Sequence, residues 1–366
     1  MKAEALPPLF FNYHNLVGEN IITDDPGAAR FFAEECRSHR VQENLSQGLP
    51  QVELTFHRLS SHVPAPPGFL RASHKVMARW AYQVGLQAQK VSIQAYGNPL
   101  SVSLIHHMLV HHSLRYLVSY QNTLMLHAGA VVFRGRSLIL TGHGGVGKTT
   151  LTSLLLSRGG SEWSVHADDY VFLTANGESL AYLTRAHVYR SLLGPVPEIG
   201  RVLTPAERLR LEAYWRLRTL AGIKLPVRVP LARLWPGRPV AIKAVPAGLV
   251  VLERGGVSQP VLRQLSPEQA PLDDLLAMNF GEAGHYLDLV GRCLPAAEWQ
   301  TLAAGWRQRE KEVLQQVVQR IPVYSLTIPQ QVAHLNNSAL FDSLAALVGT
   351  EPQPPAGLPA GKLEGA

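Results

Sequence analysis

Cysteine is almost absent from this sequence, which has only two cysteines among 366 residues. Cys36 and Cys293 lie far apart and outside any C-x-x-C pattern, which excludes a disulfide-stabilised scaffold. Such sparse use of cysteine is typical of a reducing compartment. We therefore expect a soluble, cytoplasmic protein.

Charged residues are also scarce, at 17% of the chain. Lys and Arg (34) outnumber Asp and Glu (27), but the net charge of +7 is scattered and no run of five like charges occurs. This pattern predicts no nucleic-acid-binding tail, whereas a basic excess attracts phosphate-bearing ligands. No apolar run approaches the ~18 residues that a membrane helix needs, so we expect no membrane span. Peripheral contact with a membrane stays open.

Pattern and composition divide the chain into three predicted parts. Residues 1–120 are weakly patterned, and strands near 52–56 and 91–96 with a helix over 100–118 predict an α+β region of unknown role. Residues 121–350 alternate apolar strands with helices, which predicts an α/β domain whose mixed sheet is flanked by helices. Residues 351–366 contain too few apolar side chains to fold, so a disordered tail is predicted there.

The segment Gly142–Thr149, GHGGVGKT, matches the Walker A pattern G-x-x-x-x-G-K-[ST]. An apolar strand, SLILTG, precedes it and a helix-forming run, TTLTSLLL, follows it, whereas an accidental glycine-rich turn would not need this context. Glycines allow successive backbone N–H groups to surround a phosphate, and the helix N-terminus adds positive charge. Lys148 is suited to the β- and γ-phosphates and the Thr149 hydroxyl to Mg²⁺. The predicted nucleotide-binding residues are Gly142, His143, Gly144, Gly145, Val146, Gly147, Lys148, Thr149 and Thr150.

Two adjacent carboxylates, Asp168 and Asp169, follow the predicted strand WSVHA, 20 residues beyond Lys148. Ligands of open α/β sheets bind beyond the carboxyl ends of strands, so we expect both carboxylates to face the triphosphate. One can hold Mg²⁺ and the other can take the proton from an attacking hydroxyl. The alternative is a single metal-binding aspartate followed by a loop aspartate without a catalytic role.

The run from residue 126 to 173 resembles the core of the HPr kinase/phosphorylase family, P-loop kinases of the phosphoenolpyruvate-carboxykinase-like class. The family places a histidine on a hairpin before its phosphate loop and a strand that ends in V-A-D-D after it. His127, the 142–149 loop and the segment 165–169 occupy those places. The resemblance implies a P-loop kinase domain, ATP as the nucleotide and a homo-oligomer.

The same resemblance implies a role for each site residue. Asp168 is the expected general base, and Asp169 is expected to support it and, with Thr149, to hold Mg²⁺. His127 is expected to lie against the acidic pair. Together with Lys148, these two aspartates and the histidine form the predicted catalytic set.

A departure from the family lies at residues 221–237, AGIKLPVRVPLARLWPG. Here the family carries a signature E-[IV]-R-G-x-G-I, which serves the active-site lid and the reverse, phosphorolysis reaction. Lys224 stands in for the signature arginine, while the glutamate and both glycines are missing. Lys224 and Arg228 are weaker candidates for phosphate contacts. The departure indicates a divergent member, for which neither phosphorolysis nor HPr as substrate is expected.

The leading prediction is therefore an ATP-dependent kinase that transfers a phosphoryl group to a hydroxyl of a protein, a peptide or a small molecule. The sequence has no N-K-x-D element and no LSGGQ element, which argues against a small GTPase and against a transporter ATPase. It also has no H-R-D or D-F-G element, which excludes a protein kinase of the eukaryotic type. Two alternatives stay open: a nucleotide-gated module that acts through residues 1–120, and an NTPase with water as acceptor. The second aspartate favours transfer, because a binding module needs only one metal carboxylate.

Two further segments are predicted to be structural. His106, His107, His111 and His112 lie on the 100–118 helix, and we expect an exposed polar face there rather than a metal site. The arginines of the helix near 203–220 do not share one face, which predicts a solvated helix. Aromatic residues such as Trp215 are expected to pack.

Overall fold

Two mixed β-sheets, flanked by helices, organise the part of the chain that the computed structural model describes. The described residues are 6–43, 48–59, 65–74, 77–330 and 338–349. The mixed α/β class expected from the sequence is confirmed. The predicted tail at 351–366 lies outside the described residues.

The first sheet belongs to the N-terminal part, and the described residues give it seven strands in the order β3-β1-β2-β4-β7-β6-β5. These strands are β1 (Leu9–Tyr13), β2 (Val17–Thr23), β3 (Arg40–Val41), β4 (Gln51–Arg58), β5 (Leu70–His74), β6 (Ala78–Leu86) and β7 (Lys90–Gly97). The predicted strands 52–56 and 91–96 are confirmed as β4 and β7. Helix α1 (Pro26–Glu35) follows β2, and the Asp25 side chain caps it by accepting the Ala28 N–H at 2.6 Å.

A continuous helical segment links the two sheets through α2 (Val102–Ile105), a π-helical turn (His106–Val110) and α3 (His111–Val118). The predicted helix is confirmed, but the expected exposure of its histidines is wrong. His106, His111 and His112 are buried, and His107 is partly buried. The reason is tertiary: side chains of this segment share one apolar cluster with both the first sheet and the second part of the chain, so the helix has little free face.

The second part of the chain contributes β8 (Thr123–Phe133), β9 (Arg136–Gly142), β10 (Trp163–Ala167), β11 (Tyr170–Thr174), β12 (Ser179–Ala181), β13 (Ala186–Val188), β14 (Val227–Val229), β15 (Lys243–Gly255), β16 (Val261–Leu265) and β17 (Val323–Pro329). β13 pairs only with β14 among the described strands, and the other eight form one mixed sheet. The predicted strands 137–141 and 163–167 both lie in it, as β9 and β10. β9 runs parallel to β15, and β15 runs parallel to β17.

Helices surround this second sheet: α4 (Lys148–Arg158), α5 (Pro197–Val202), α6 (Pro205–Ala221), α7 (Leu231–Leu234), α8 (Leu272–Glu282), α9 (Gly284–Gly291), α10 (Ala296–Arg320) and α11 (Ser338–Gly349). A capping box between Thr204 and Glu207 starts α6, whose arginines are exposed, so the predicted solvated helix is confirmed. Across the described ranges, no helix has the length and apolar character that crossing a bilayer requires.

A buried ion pair joins the two parts of the chain. The Arg115 guanidinium on α3 donates to both carboxylate oxygens of Glu310 on α10, at 2.7 and 2.5 Å, and both side chains are fully buried. Arg115 also donates to the Asn279 carbonyl on α8 at 2.5 Å. The predicted boundary at residues 120 and 121 falls in a 3₁₀ turn between the two sheets and stays a prediction.

Candidate functional site

The loop after β9 makes a tight turn that two glycines allow. Gly142 has φ 146°, and a Cβ built there would lie 2.6 Å from the Leu252 carbonyl oxygen of β15. Gly145, at the loop tip, has φ 80°. Residues with a side chain rarely adopt either conformation. Residues 143–145 are exposed, so their backbone faces solvent above the carboxyl end of β9.

The N-terminus of α4 is positively charged by two contributions. Gly147 is the N-cap residue, and in the described structure no side chain caps it, so the first N–H groups of the helix point outward. The Lys148 ammonium donates to the carbonyls of Gly142 at 2.8 Å and His143 at 3.3 Å. Burial lowers the pKa of Lys148, while nearby carboxylates, Asp169 foremost, oppose that shift. The loop and the ammonium together favour an anion.

Asp168 lies directly beside this loop. Its carboxylate accepts the His187 N–H at 3.1 Å. Burial raises the pKa of Asp168 to about 6, while the His187 N–H and the nearby Thr149 side chain oppose that shift. The sequence-based assignment paired Thr149 with Asp169 as metal ligands. In the structure, Thr149 acts on the pKa of Asp168, whereas Asp169 contacts His127, so the assignment of Thr149 and Asp169 as metal ligands stays a prediction.

Asp169 points instead to His127 on β8. The Nε2 atom of His127 lies 3.3 Å from Asp169 Oδ1, and its Nδ1 atom lies 3.2 Å from Glu282 Oε1. Burial alone would lower the pKa of His127, but the two carboxylates outweigh burial and raise it above 6.5. Burial would raise the pKa of Asp169, but His127 holds it well below 3.8. The imidazolium therefore fixes both carboxylates in their ionised form, and His127 lies against the acidic pair as expected.

Glu282 is a site residue that sequence reasoning did not predict. It ends α8, where the helix dipole opposes a carboxylate. Its Oε1 atom would lie 3.7 Å from a Cβ built on Gly144, so the carboxylate stands beside the exposed loop tip. The hydrogen bond from His127 lowers the pKa of Glu282. The unfavourable helix position, compensated by His127, is a signal that only the folded structure provides.

The strand that carries His127 is held by Asn279, also missed from the sequence. The Asn279 Oδ1 atom accepts the His127 N–H at 3.0 Å, and its Nδ2 atom donates to the Met125 carbonyl at 3.2 Å. The Nδ2 atom also lies 3.4 Å from Glu310 Oε2. Through Asn279, the buried pair of Arg115 and Glu310 is connected to the candidate site.

The two weaker phosphate-contact candidates occupy different positions. Arg228 on β14 is paired with Glu35 of α1, which also binds Arg185 at 2.7 Å. Arg228 lies opposite His187 in the β13–β14 register, next to the strand that binds Asp168. Lys224 lies 4.8 Å above the Tyr189 ring, close enough to contribute to lowering the pKa of Lys148.

The donor set at the loop fits Mg²⁺ bound together with a triphosphate. Within the described ranges, no group of three His, Cys, Asp or Glu side chains is arranged to hold a metal ion alone. Mg²⁺ at a nucleotide usually takes one or two protein ligands and completes its shell with phosphates and water. The Thr149 hydroxyl and the Asp168 carboxylate are hard oxygen ligands of this kind. A cation beside Asp168 would also offset the burial that raises its pKa.

Comparison with models of known protein families found none that matches this chain. Comparison with curated proteins likewise found no match.

Proposed function

We propose that this protein is an ATP- and Mg²⁺-dependent phosphotransferase that moves the γ-phosphoryl group to a hydroxyl. The observation that carries the proposal is the meeting of three elements at one place. Asp168, near Thr149 of the glycine loop, accepts the His187 N–H at 3.1 Å, Asp169 is the foremost carboxylate acting on the pKa of the buried Lys148, and His127 lies 3.3 Å from Asp169. The resemblance of residues 126–173 to HPr kinase/phosphorylase supports the same class.

ATP would bind with its β- and γ-phosphates on the loop amides and the N-terminus of α4, where Lys148 adds a cation. Thr149 and Asp168 would hold Mg²⁺, which neutralises the charge that develops on the phosphates. This proposal assigns Asp168 to the metal side, because the Thr149 side chain acts on its pKa while Asp169 contacts His127. The assignment is the reverse of the sequence-based one, in which Asp168 was the base.

Asp169 would then act on the acceptor. The acceptor oxygen forms a bond to the γ-phosphorus, the bond from that phosphorus to the β,γ-bridging oxygen breaks, and ADP leaves. The hydroxyl proton passes to Asp169, which is ionised; because His127 holds its pKa low, Asp169 accepts the proton only as the new bond to phosphorus makes the hydroxyl acidic. His127 orients this carboxylate through the 3.3 Å contact, and Glu282 holds the other side of the ring.

The connection from Arg115 through Asn279 to His127 favours a second candidate function. In that case ATP binding would control a partner of residues 1–120, and no acceptor hydroxyl would be needed. Transfer is the better account, because a gated module gives no role to the second carboxylate.

The test is transfer of label from γ-labelled ATP into fractions of a cell extract, with release of labelled phosphate measured in parallel. The parent protein should label an acceptor. Asp169→Asn should lose about 10²–10⁴-fold in rate, the usual contribution of a proton-transfer group, yet bind ATP within a few fold of the parent. Asp168→Asn should lose rate and respond more weakly to Mg²⁺. Release of labelled phosphate without a labelled acceptor would identify an NTPase. If neither labelled phosphate nor a labelled acceptor forms, the gated module becomes the better account.

A further inference from the structure

A shallow surface pocket, open to solvent, lies between the end of β13 and α6. Aromatic rings and cations alternate in its walls. The Arg190 and Arg218 guanidinium groups lie 5.3 and 5.9 Å from the Trp215 ring centre. The Lys224 ammonium lies 4.8 Å from the centre of the Tyr189 ring. Trp215, expected from the sequence only to pack, is 37% exposed.

The charges of this pocket are only partly neutralised. Arg190 donates to Glu212 at 2.6 Å, so its charge is compensated. Neither Arg218 nor Lys224 forms an ion pair with any carboxylate in the described ranges. Two cations over two aromatic rings favour a ligand that brings negative charge, since a guanidinium group binds a carboxylate or phosphate through two parallel hydrogen bonds.

The pocket begins where β13, the strand that binds Asp168, ends. Tyr189 follows His187 by two residues, and the His187 N–H binds Asp168. Burial raises the pKa of Tyr189 to about 12, and Asp169 and Asp168 add to that shift, so the phenol is near both carboxylates. The lysine of a phosphate loop and the adjacent carboxylates mark the γ-phosphate of bound ATP. A ligand in the pocket would therefore approach from the acceptor side.

We propose that this pocket binds an anionic group of the phosphoryl acceptor, held by Arg218 and Lys224. The proposal rests on the phosphotransferase function and names the class of its substrate. The acceptor hydroxyl is accompanied by a carboxylate or phosphate, either as an acidic residue next to a serine in a polypeptide or within a small hydroxy acid. The apolar faces of Tyr189 and Trp215 pack against the carbon atoms between the two groups.

Two matched pairs of acceptors distinguish these sources. The first pair is a heptapeptide with one serine flanked by glutamates and the same peptide with glutamines. The second pair is glycerate and glycerol. Transfer from γ-labelled ATP is measured for each, and binding of each to the full chain is measured separately by calorimetry, with Mg²⁺ and a non-hydrolysable ATP analogue present. The parent should prefer the anionic member of one pair, and that pair identifies the source.

Arg218→Gln and Lys224→Gln should each weaken binding of the preferred anion about fivefold, as expected for one exposed ion pair, and raise its KM similarly. Arg218→Gln should leave the affinity for the ATP analogue unchanged. Arg216→Gln, which removes the same charge from α6 outside the pocket, is the control and should change neither value. If Arg218→Gln and Lys224→Gln weaken anion binding but no acceptor is labelled, the result would support the pocket and contradict the phosphotransferase function. Equal binding of charged and neutral members, or loss of affinity for the ATP analogue in Arg218→Gln, would overturn the proposal.

Discussion

Replacing Arg115 by methionine tests how strongly the buried ion pair holds the two parts of the chain together. The parent Glu310 carboxylate receives two hydrogen bonds from Arg115 and one from Trp306 at 2.9 Å, and it has no exposed surface. In Arg115→Met, Glu310 would keep only Trp306 and the longer Asn279 contact. A buried carboxylate that loses its counter-ion typically costs about 3–5 kcal/mol of unfolding free energy.

The assay is urea unfolding at neutral pH, followed by circular dichroism. Arg134→Met is the matched control, because Arg134 and Glu162 form a similar pair with side chains 68% and 47% exposed, and its loss should leave the free energy of unfolding almost unchanged. The double variant Arg115→Met with Glu310→Met should recover most of the stability, since two apolar side chains bury no charge. A cost below about 1 kcal/mol for Arg115→Met, or a double variant as unstable as the single one, would refute the reasoning.

Two further predictions concern the candidate site itself. Gly142→Ala should destabilise the protein by about 1–3 kcal/mol and weaken ATP binding, because the new Cβ meets the Leu252 carbonyl at 2.6 Å in a backbone conformation that favours glycine. At Gly194 a Cβ meets nothing within 4 Å, so Gly194→Ala should change neither the free energy of unfolding nor the affinity for ATP in the same measurements. His127→Gln should lower the free energy of unfolding mainly at low pH. Because the pKa of His127 is raised in the folded protein, its stabilising effect is complete below pH 6.5 and is lost as the pH rises through the folded-state pKa. A difference in unfolding free energy between parent and variant that grew with rising pH would contradict the contacts with Asp169 and Glu282.

The parts of the site that follow one another in the chain could be predicted from the sequence. The 142–149 loop, its flanking strand and helix, and the position of Asp168 and Asp169 after a strand all depend on local pattern. The contact between His127 and Asp169 was expected from the family resemblance, and the structure shows it at 3.3 Å. That the Thr149 side chain acts on the pKa of Asp168 was not predictable, because one residue in an extended chain reverses the direction of a side chain.

The N-terminal sheet shows why much of the fold was missed. β5, with the sequence LRASH, has little apolar content and none of its residues is fully buried, so its pattern does not predict a strand. The histidines of the 102–118 segment are polar, yet three are buried because structure packs on every side of that helix. Glu282 and Asn279 reach the site from a helix some 150 residues after His127, a contact that no local pattern contains.

The most direct test of the central claim is equilibrium titration of the parent protein and Lys148→Ala with a fluorescent ATP analogue in the presence of Mg²⁺. Lys148 supplies the buried cation of the loop, and a charge-assisted hydrogen bond is worth about 1.5–3 kcal/mol, so affinity should fall roughly tenfold to a hundredfold. Lys243→Ala, which removes an exposed lysine paired with Glu178, should bind like the parent. Equal affinity of the parent and Lys148→Ala would contradict the nucleotide site, and with it the proposed phosphotransferase.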